Sequence, residues 1–197
     1  MTGFMAGLVV SAVAIFFAEM GDKTQLVAMS LATRYRVLTV VLGITAATAV
    51  VHLGSVIIAE VLGAAIPTDW LTLAAGLAFL FFGAWTLRGD EMNDKDEERA
   101  ASRRLRSGFM TVALVFFVAE LGDKTMLATI TVGTQHHWFP VWIGSTAGMV
   151  AADAVAIALG ALLGKKLPEE GIRIGAAILF FVAGAAMLAQ AALAFFT

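Results

Sequence analysis

Two stretches decide how this chain is read: FFAEMGDKTQL at residues 16–26 and FVAELGDKTML at residues 117–127. Each places Glu, Gly, Asp, Lys and Thr in one order inside an apolar run. The second lies 101 residues after the first. The same offset pairs Gly43 with Gly144, Thr45 with Thr146, Gly63 with Gly164, Pro67 with Pro168 and Gly83 with Gly184. Similar helix composition would match apolar residues at random. It would not hold a polar motif in register with distant glycines and prolines, so the chain is an internal duplication.

The surroundings of the motifs set the solvent. Of 197 residues, 60% are apolar and 14% charged, with a mean hydropathy of +0.89. Soluble domains are roughly 45–50% apolar and about 25% charged. Such a chain cannot cover a water-facing surface and belongs in a lipid bilayer. There is no cysteine, which excludes disulfides, thiolate metal ligands and thiol nucleophiles. A net charge of −2 gives no basic surface for nucleic acid.

A helix crosses the hydrocarbon core in about 20 apolar residues. Six segments qualify: 4–31, 37–66, 70–87, 108–133, 139–166 and 171–196. The N-terminal run has no basic flank and is too long for a signal peptide, so it is expected to be a retained span. The expected fold is all-α: residues 1–87 as one three-helix repeat, 88–107 as a charged linker and 108–197 as a second repeat. Three spans per copy is an odd number. The copies are therefore expected to cross the membrane in opposite senses, related by a pseudo-twofold axis in the membrane plane.

The basic residues give orientation. Arg34, Arg36, Arg88, Lys95, Arg99, Arg103, Arg104, Arg106, Lys165, Lys166 and Arg173 all fall in loops on one side. The positive-inside rule predicts a cytoplasmic linker and both termini outside. Only Lys23 and Lys124 remain, and both are in the motifs.

An ionisable residue at the bilayer centre costs roughly 2.5–3.5 kcal/mol on insertion scales. Glu19, Asp22, Lys23, Glu120, Asp123 and Lys124 must therefore compensate one another inside the protein. On a continuous helix Glu19 and Asp22 are i,i+3 and share a face, as do Glu120 and Asp123. Inverted symmetry would bring the two faces together. Four acids against two lysines leave −2, the charge one divalent cation neutralises. Carboxylates, the hydroxyls of Thr24 and Thr125, and backbone carbonyls suit hard cations such as Ca²⁺, Mn²⁺ or Mg²⁺. Gly21 and Gly122 can let the helix unwind and offer carbonyls. The plainer alternative is i,i+4 ion pairing, Glu19–Lys23 and Glu120–Lys124, which leaves two acids unbalanced.

Further polar residues surround this core. Thr45 and His52 share a face of the second span; Thr146 and Asp153 hold the matching positions in the fifth. They are candidates for supporting ligands or a proton path, against a plain interior hydrogen-bonding role. Gln25 and Ser30 are candidate pore-lining groups, and Glu60 a candidate exit-path residue or an interfacial carboxylate. His136 and His137 are either a metal-attracting pair or headgroup-level residues.

The doubled EMGDKT and ELGDKT strings resemble the E-x-G-D-K/R-T/S signature of a family of calcium/manganese cation:proton exchangers. Its eukaryotic members serve the Golgi and chloroplast, and its bacterial members export manganese. The resemblance covers the whole chain. It implies that Glu19, Asp22, Glu120 and Asp123 ligate the cation and that Lys23, Thr24, Lys124 and Thr125 complete the signatures. It further implies a non-enzymatic antiporter that moves Mn²⁺ or Ca²⁺ against protons and needs no resident cofactor. The compact chain is expected to be a bacterial inner-membrane protein, with an oligomer possible but not indicated. The rival readings are a divalent cation channel with the same acidic ring and a non-transporting scaffold held by buried ion pairs. No Ser–His or Cys–His pair supports a hydrolase, although paired acids can imitate an aspartyl protease.

Overall fold

The computed structural model describes residues 2–88, 107–163 and 169–196. They form eight helices and no strand: α1 (Thr2–Glu19), α2 (Lys23–Ala32), α3 (Val37–Ala65), α4 (Thr68–Arg88), α5 (Gly108–Glu120), α6 (Lys124–Gly133), α7 (Trp138–Leu163) and α8 (Glu169–Phe196). Most of the linker, 89–106, lies outside the described residues.

α3, α4, α7 and α8 are long and apolar enough to cross a membrane. The expected continuous helices over 4–31 and 108–133 do not form. α1 and α2 count as one span only if their 79° bend is included, and α5 is a shorter apolar helix of 13 residues. The break falls inside the motif in both cases. Gly21 and Gly122 adopt φ of 78° and 80°, a left-handed conformation that a side chain disfavours. A glycine there ends the first helix, and the next begins two residues later.

The long helices carry many apolar side chains outward; Leu38, Val61, Leu162, Val182 and Leu193 are exposed. In water this would be an aggregation surface; in lipid it is the required one. The interior packs by close approach of small residues rather than by a hydrophobic drive, as helices in a bilayer do. α1 lies against α7, α3 against α5, α4 against α8, and α3 against α7. A Cβ at Gly144 would stand 2.2 Å from the Ser11 hydroxyl, and one at Gly43 would stand 2.7 Å from Val112.

These contacts exchange under the 101-residue offset. Gly43 against Val112 becomes Gly144 against Ser11. Gly83 against Phe181 becomes Gly184 against Leu80. Residues also meet their own counterparts: Thr48 Oγ1 lies 3.4 Å from Met149 Sδ, and the Phe79 and Phe180 ring centroids are 5.7 Å apart.

Candidate cation site

The two breaks are built alike. At the first, the Asp22 amide donates to the Glu19 carbonyl at 2.9 Å, closing a tight turn. Asp22 then takes an extended conformation as the N-cap of α2, with no capping bond from its side chain. Asp123 does the same for α6, its amide reaching the Glu120 carbonyl at 3.3 Å. The chain turns between each Glu and its Asp, so the expected shared helical face does not exist. Instead Glu sits at the carbonyl end of one helix and Asp at the amide end of the next. Broken helices in membranes present ion-binding groups in this way.

Each Glu is fully buried and held by the threonine of its own motif. Thr24 Oγ1 donates to Glu19, and Thr125 Oγ1 donates to Glu120 Oε2 at 2.7 Å. Among the described residues, one oxygen of each Glu, Oε2 of Glu19 and Oε1 of Glu120, has no hydrogen-bond donor. Such an oxygen costs free energy unless a cation or proton meets it.

The halves join through an ion pair. Lys124 Nζ lies 3.0 Å from Asp22 Oδ1, both buried. The i,i+4 partner considered for Lys124, Glu120, is not the one it takes: its ammonium crosses to the other motif. The Lys23 side chain, and with it the Glu19–Lys23 pairing, lies outside what the structure describes. Glu19 is within electrostatic reach of Glu120, Asp22 and Asp153, and Glu120 is within reach of Asp123, Asp22 and Asp153. The acids of both motifs thus gather in one region. Among the described residues, however, no three His, Asp or Glu side chains stand close enough to hold a metal ion as they are placed here.

The other candidates divide. Gln25 belongs to the region: its Oε1 accepts from the Gly21 amide at 3.0 Å and its Nε2 donates to the Ala152 carbonyl at 3.3 Å. At the matching place Met126 sets its sulfur 3.3 Å from the Gly122 amide. Asp153 is buried in the same region. His52 is fully buried, but among the described residues no charged side chain acts on it and neither ring nitrogen has a partner. Thr45 turns to its own helix and donates to the Val41 carbonyl at 2.7 Å, while Thr146 is half-buried and its hydroxyl has no partner among the described residues. Ser30 and Glu60 are both exposed.

His136 and His137 do not converge as a pair. His136 packs beside Gly7 of α1, and its partial burial lowers its pKa from the usual 6.5. His137 stacks on Trp138 and accepts the Phe139 amide through Nδ1. Sequence reasoning missed the role of Gln25 as a bridge between the break and α7. Its signal was present, because an amide follows one motif where a thioether follows the other.

Comparison with known proteins agrees with the doubled motif. The profile of the family described as "Divalent cation/proton antiporter GDT1" matches residues 7–94 and 108–194. A Vibrio cholerae protein named "Putative manganese exporter" is 32% identical over 90% of this chain and 88% of its own length. A Synechocystis GDT1-like protein is 28% identical over 92% of the chain and 94% of its own length. The chloroplast protein PAM71 of Arabidopsis thaliana is 34% identical over 89% of the chain, which spans only 55% of that relative. No solved structure matches.

Proposed function

Because the chain belongs to the GDT1 family of divalent cation/proton antiporters, we propose that it exports Mn²⁺, with Ca²⁺ as a second cargo, in exchange for protons. The membrane is the bacterial inner membrane in this reading, with both termini outside and the linker in the cytoplasm. Glu19, Asp22, Glu120 and Asp123 supply the oxygens that take the cation. Gly21 and Gly122 break the helices so that carbonyl and amide ends face the site. Lys124 balances charge, and Lys23 is assigned the same task by position in the repeat. No resident cofactor takes part.

One observation carries the proposal: two glycine-broken helices, one from each half, direct their acids into one region, with a lysine of one half paired to an aspartate of the other. The contacts that exchange under the 101-residue offset support six spans arranged as two inverted three-helix repeats. In that arrangement the breaks of the first and fourth spans meet at the twofold axis, where transporters of this design bind their cargo.

Exchange follows from the ligand type. Metal and protons compete for the same carboxylate oxygens, so binding one releases the other. The oxygens must draw together by a local movement to reach the roughly 2.3–2.6 Å of a Ca²⁺–oxygen contact. Outside, the higher proton concentration favours release of the metal; inside, deprotonation restores the site.

The test is Mn²⁺ flux in proteoliposomes with and without an imposed pH gradient. Flux driven by the gradient, with protons moving oppositely, is expected. Flux that ignores the gradient would identify a channel, and absence of flux a scaffold. Orientation is tested separately: the chain has no native cysteine, so single cysteines at positions 2 and 95 report without background. Position 2 should label from outside intact cells, and position 95 only after permeabilisation.

A further inference from the structure

We infer that Asp153 is a fifth carboxylate of the cation site, supplied by α7 to the half of the site that carries the first motif. This rests on the cation-binding reading above and adds a ligand-bearing helix to it.

Asp153 is 1% exposed, and neither of its carboxylate oxygens has a hydrogen-bond donor among the described residues. A buried acid is ordinarily paired or hydrogen-bonded, because otherwise its desolvation goes uncompensated. A plain structural role would have shown a donor. Here the neighbours are other acids: Glu19 and Glu120 lie within electrostatic reach of Asp153, and so does Asp22. An acid without a donor that is set among other acids needs a positive species beside it.

The placement is built rather than incidental. Gln25 holds the Gly21 amide with its carbonyl oxygen and the Ala152 carbonyl with its amide nitrogen. One side chain thus ties the turn of α7 that carries Asp153 to the turn that carries Asp22. α7 also lies along both α1 and α2, the helices that flank the first break. Glu19 Oε2, also without a donor, belongs to the same half.

The internal repeat supplies a control. The position equivalent to Asp153 is His52, on α3. It is equally buried, but no charged side chain among the described residues acts on it. A polar residue at this place is therefore compatible with both halves of the fold, whereas a charge that adds to the acids is present in only one. With all groups ionised, five carboxylates exceed the two motif lysines, an excess that a divalent cation together with a proton would balance.

The experiment uses the purified full-length protein and Mn²⁺ as the probe. Mn²⁺ affinity is read from thermal stabilisation across a metal titration and from the half-saturating concentration for flux in proteoliposomes. Asp153→Asn is expected to weaken both by about 10- to 100-fold, the range found when groups around a metal are removed. His52→Asn should leave both within about threefold of wild type, the smaller effect fitting a buried group outside the charged region. Asp22→Asn is measured alongside. If Asp153→Asn binds Mn²⁺ like wild type while Asp22→Asn does not, Asp153 is not a ligand and the four-carboxylate reading stands. If both bind like wild type, that reading fails as well. Should Asp153→Asn not be recovered folded, Asp153→Glu decides, since it keeps the charge. Folded Asp153→Glu that retains Mn²⁺-dependent stabilisation supports the proposal. Loss of that stabilisation, or failure of both variants to fold, overturns it in favour of a packing role.

Discussion

The two helix breaks carry the same six-residue pattern and the same backbone, yet their surroundings differ. At both, a left-handed glycine ends one helix, a threonine holds the buried glutamate and an extended aspartate opens the next helix. At the first break an amide side chain, Gln25, fastens the turn to α7, and Asp153 lies in the same region. At the second, Met126 stands where Gln25 would, and a thioether is only a weak acceptor. Duplication preserved the broken-helix device, while the packing around it became unequal. Among the described residues, the amide tie between a break and a neighbouring helix is present at the first break and replaced by a thioether contact at the second.

The sharpest way to break this comparison is to remove one acid from each side. Asp22→Asn and Asp123→Asn should both abolish Mn²⁺ export, because each deletes an anionic oxygen from the proposed shared site. Asp22→Asn leaves the buried Lys124 without the carboxylate 3.0 Å away, a loss of about 3 kcal/mol. Unfolding in detergent, followed with flux, separates the two effects. Wild-type flux in both variants would make the motif acids structural.

Next in size is the backbone. Gly21→Ala and Gly122→Ala place a Cβ on a left-handed residue, at about 1–2 kcal/mol each. A Cβ at Gly122 would meet nothing within 4 Å, so there the cost is conformational alone. Gly122→Asn should be milder, since asparagine tolerates this conformation better. Equal melting temperatures for Gly122→Ala and Gly122→Asn would remove strain as the explanation.

Thr24→Val and Thr125→Val come third. Each removes the donor to a fully buried glutamate and should cost about 1–3 kcal/mol. Parallel losses in melting temperature would sharpen the equivalence of the two breaks; a loss at only one would limit it. The smallest effect belongs to Gln25→Met, which copies the second break onto the first. It exchanges two hydrogen bonds for thioether contacts and should cost about 1 kcal/mol, with Mn²⁺ flux retained at reduced rate. An unchanged melting temperature would mean that the tie to α7 does not hold the first break in place.

Much of this molecule could be read from residues in a row. Apolar runs of membrane length, the doubled motif and the glycines beside the acids follow from composition and spacing, because a bilayer punishes every unpaired charge and every irregular backbone at its centre. The sequence therefore determined that the protein is helical and membrane-embedded, that it is duplicated, and that each copy carries two acids, Glu19 and Asp22 in one and Glu120 and Asp123 in the other, inside an apolar run. It did not determine that each motif helix is broken, because a continuous apolar run is equally compatible with a straight helix. Whether Gly21 and Gly122 turn left-handed depends on what the neighbouring helices leave room for. Nor could spacing along the chain choose the partner of Lys124. An i,i+4 glutamate was the nearest in sequence, yet the chosen aspartate lies in the other half, 102 residues away. The separation of Asp153 from its counterpart His52 is likewise tertiary. Equivalent positions in a repeat are equal in sequence register, but the charges they meet are set by which helices pack against them.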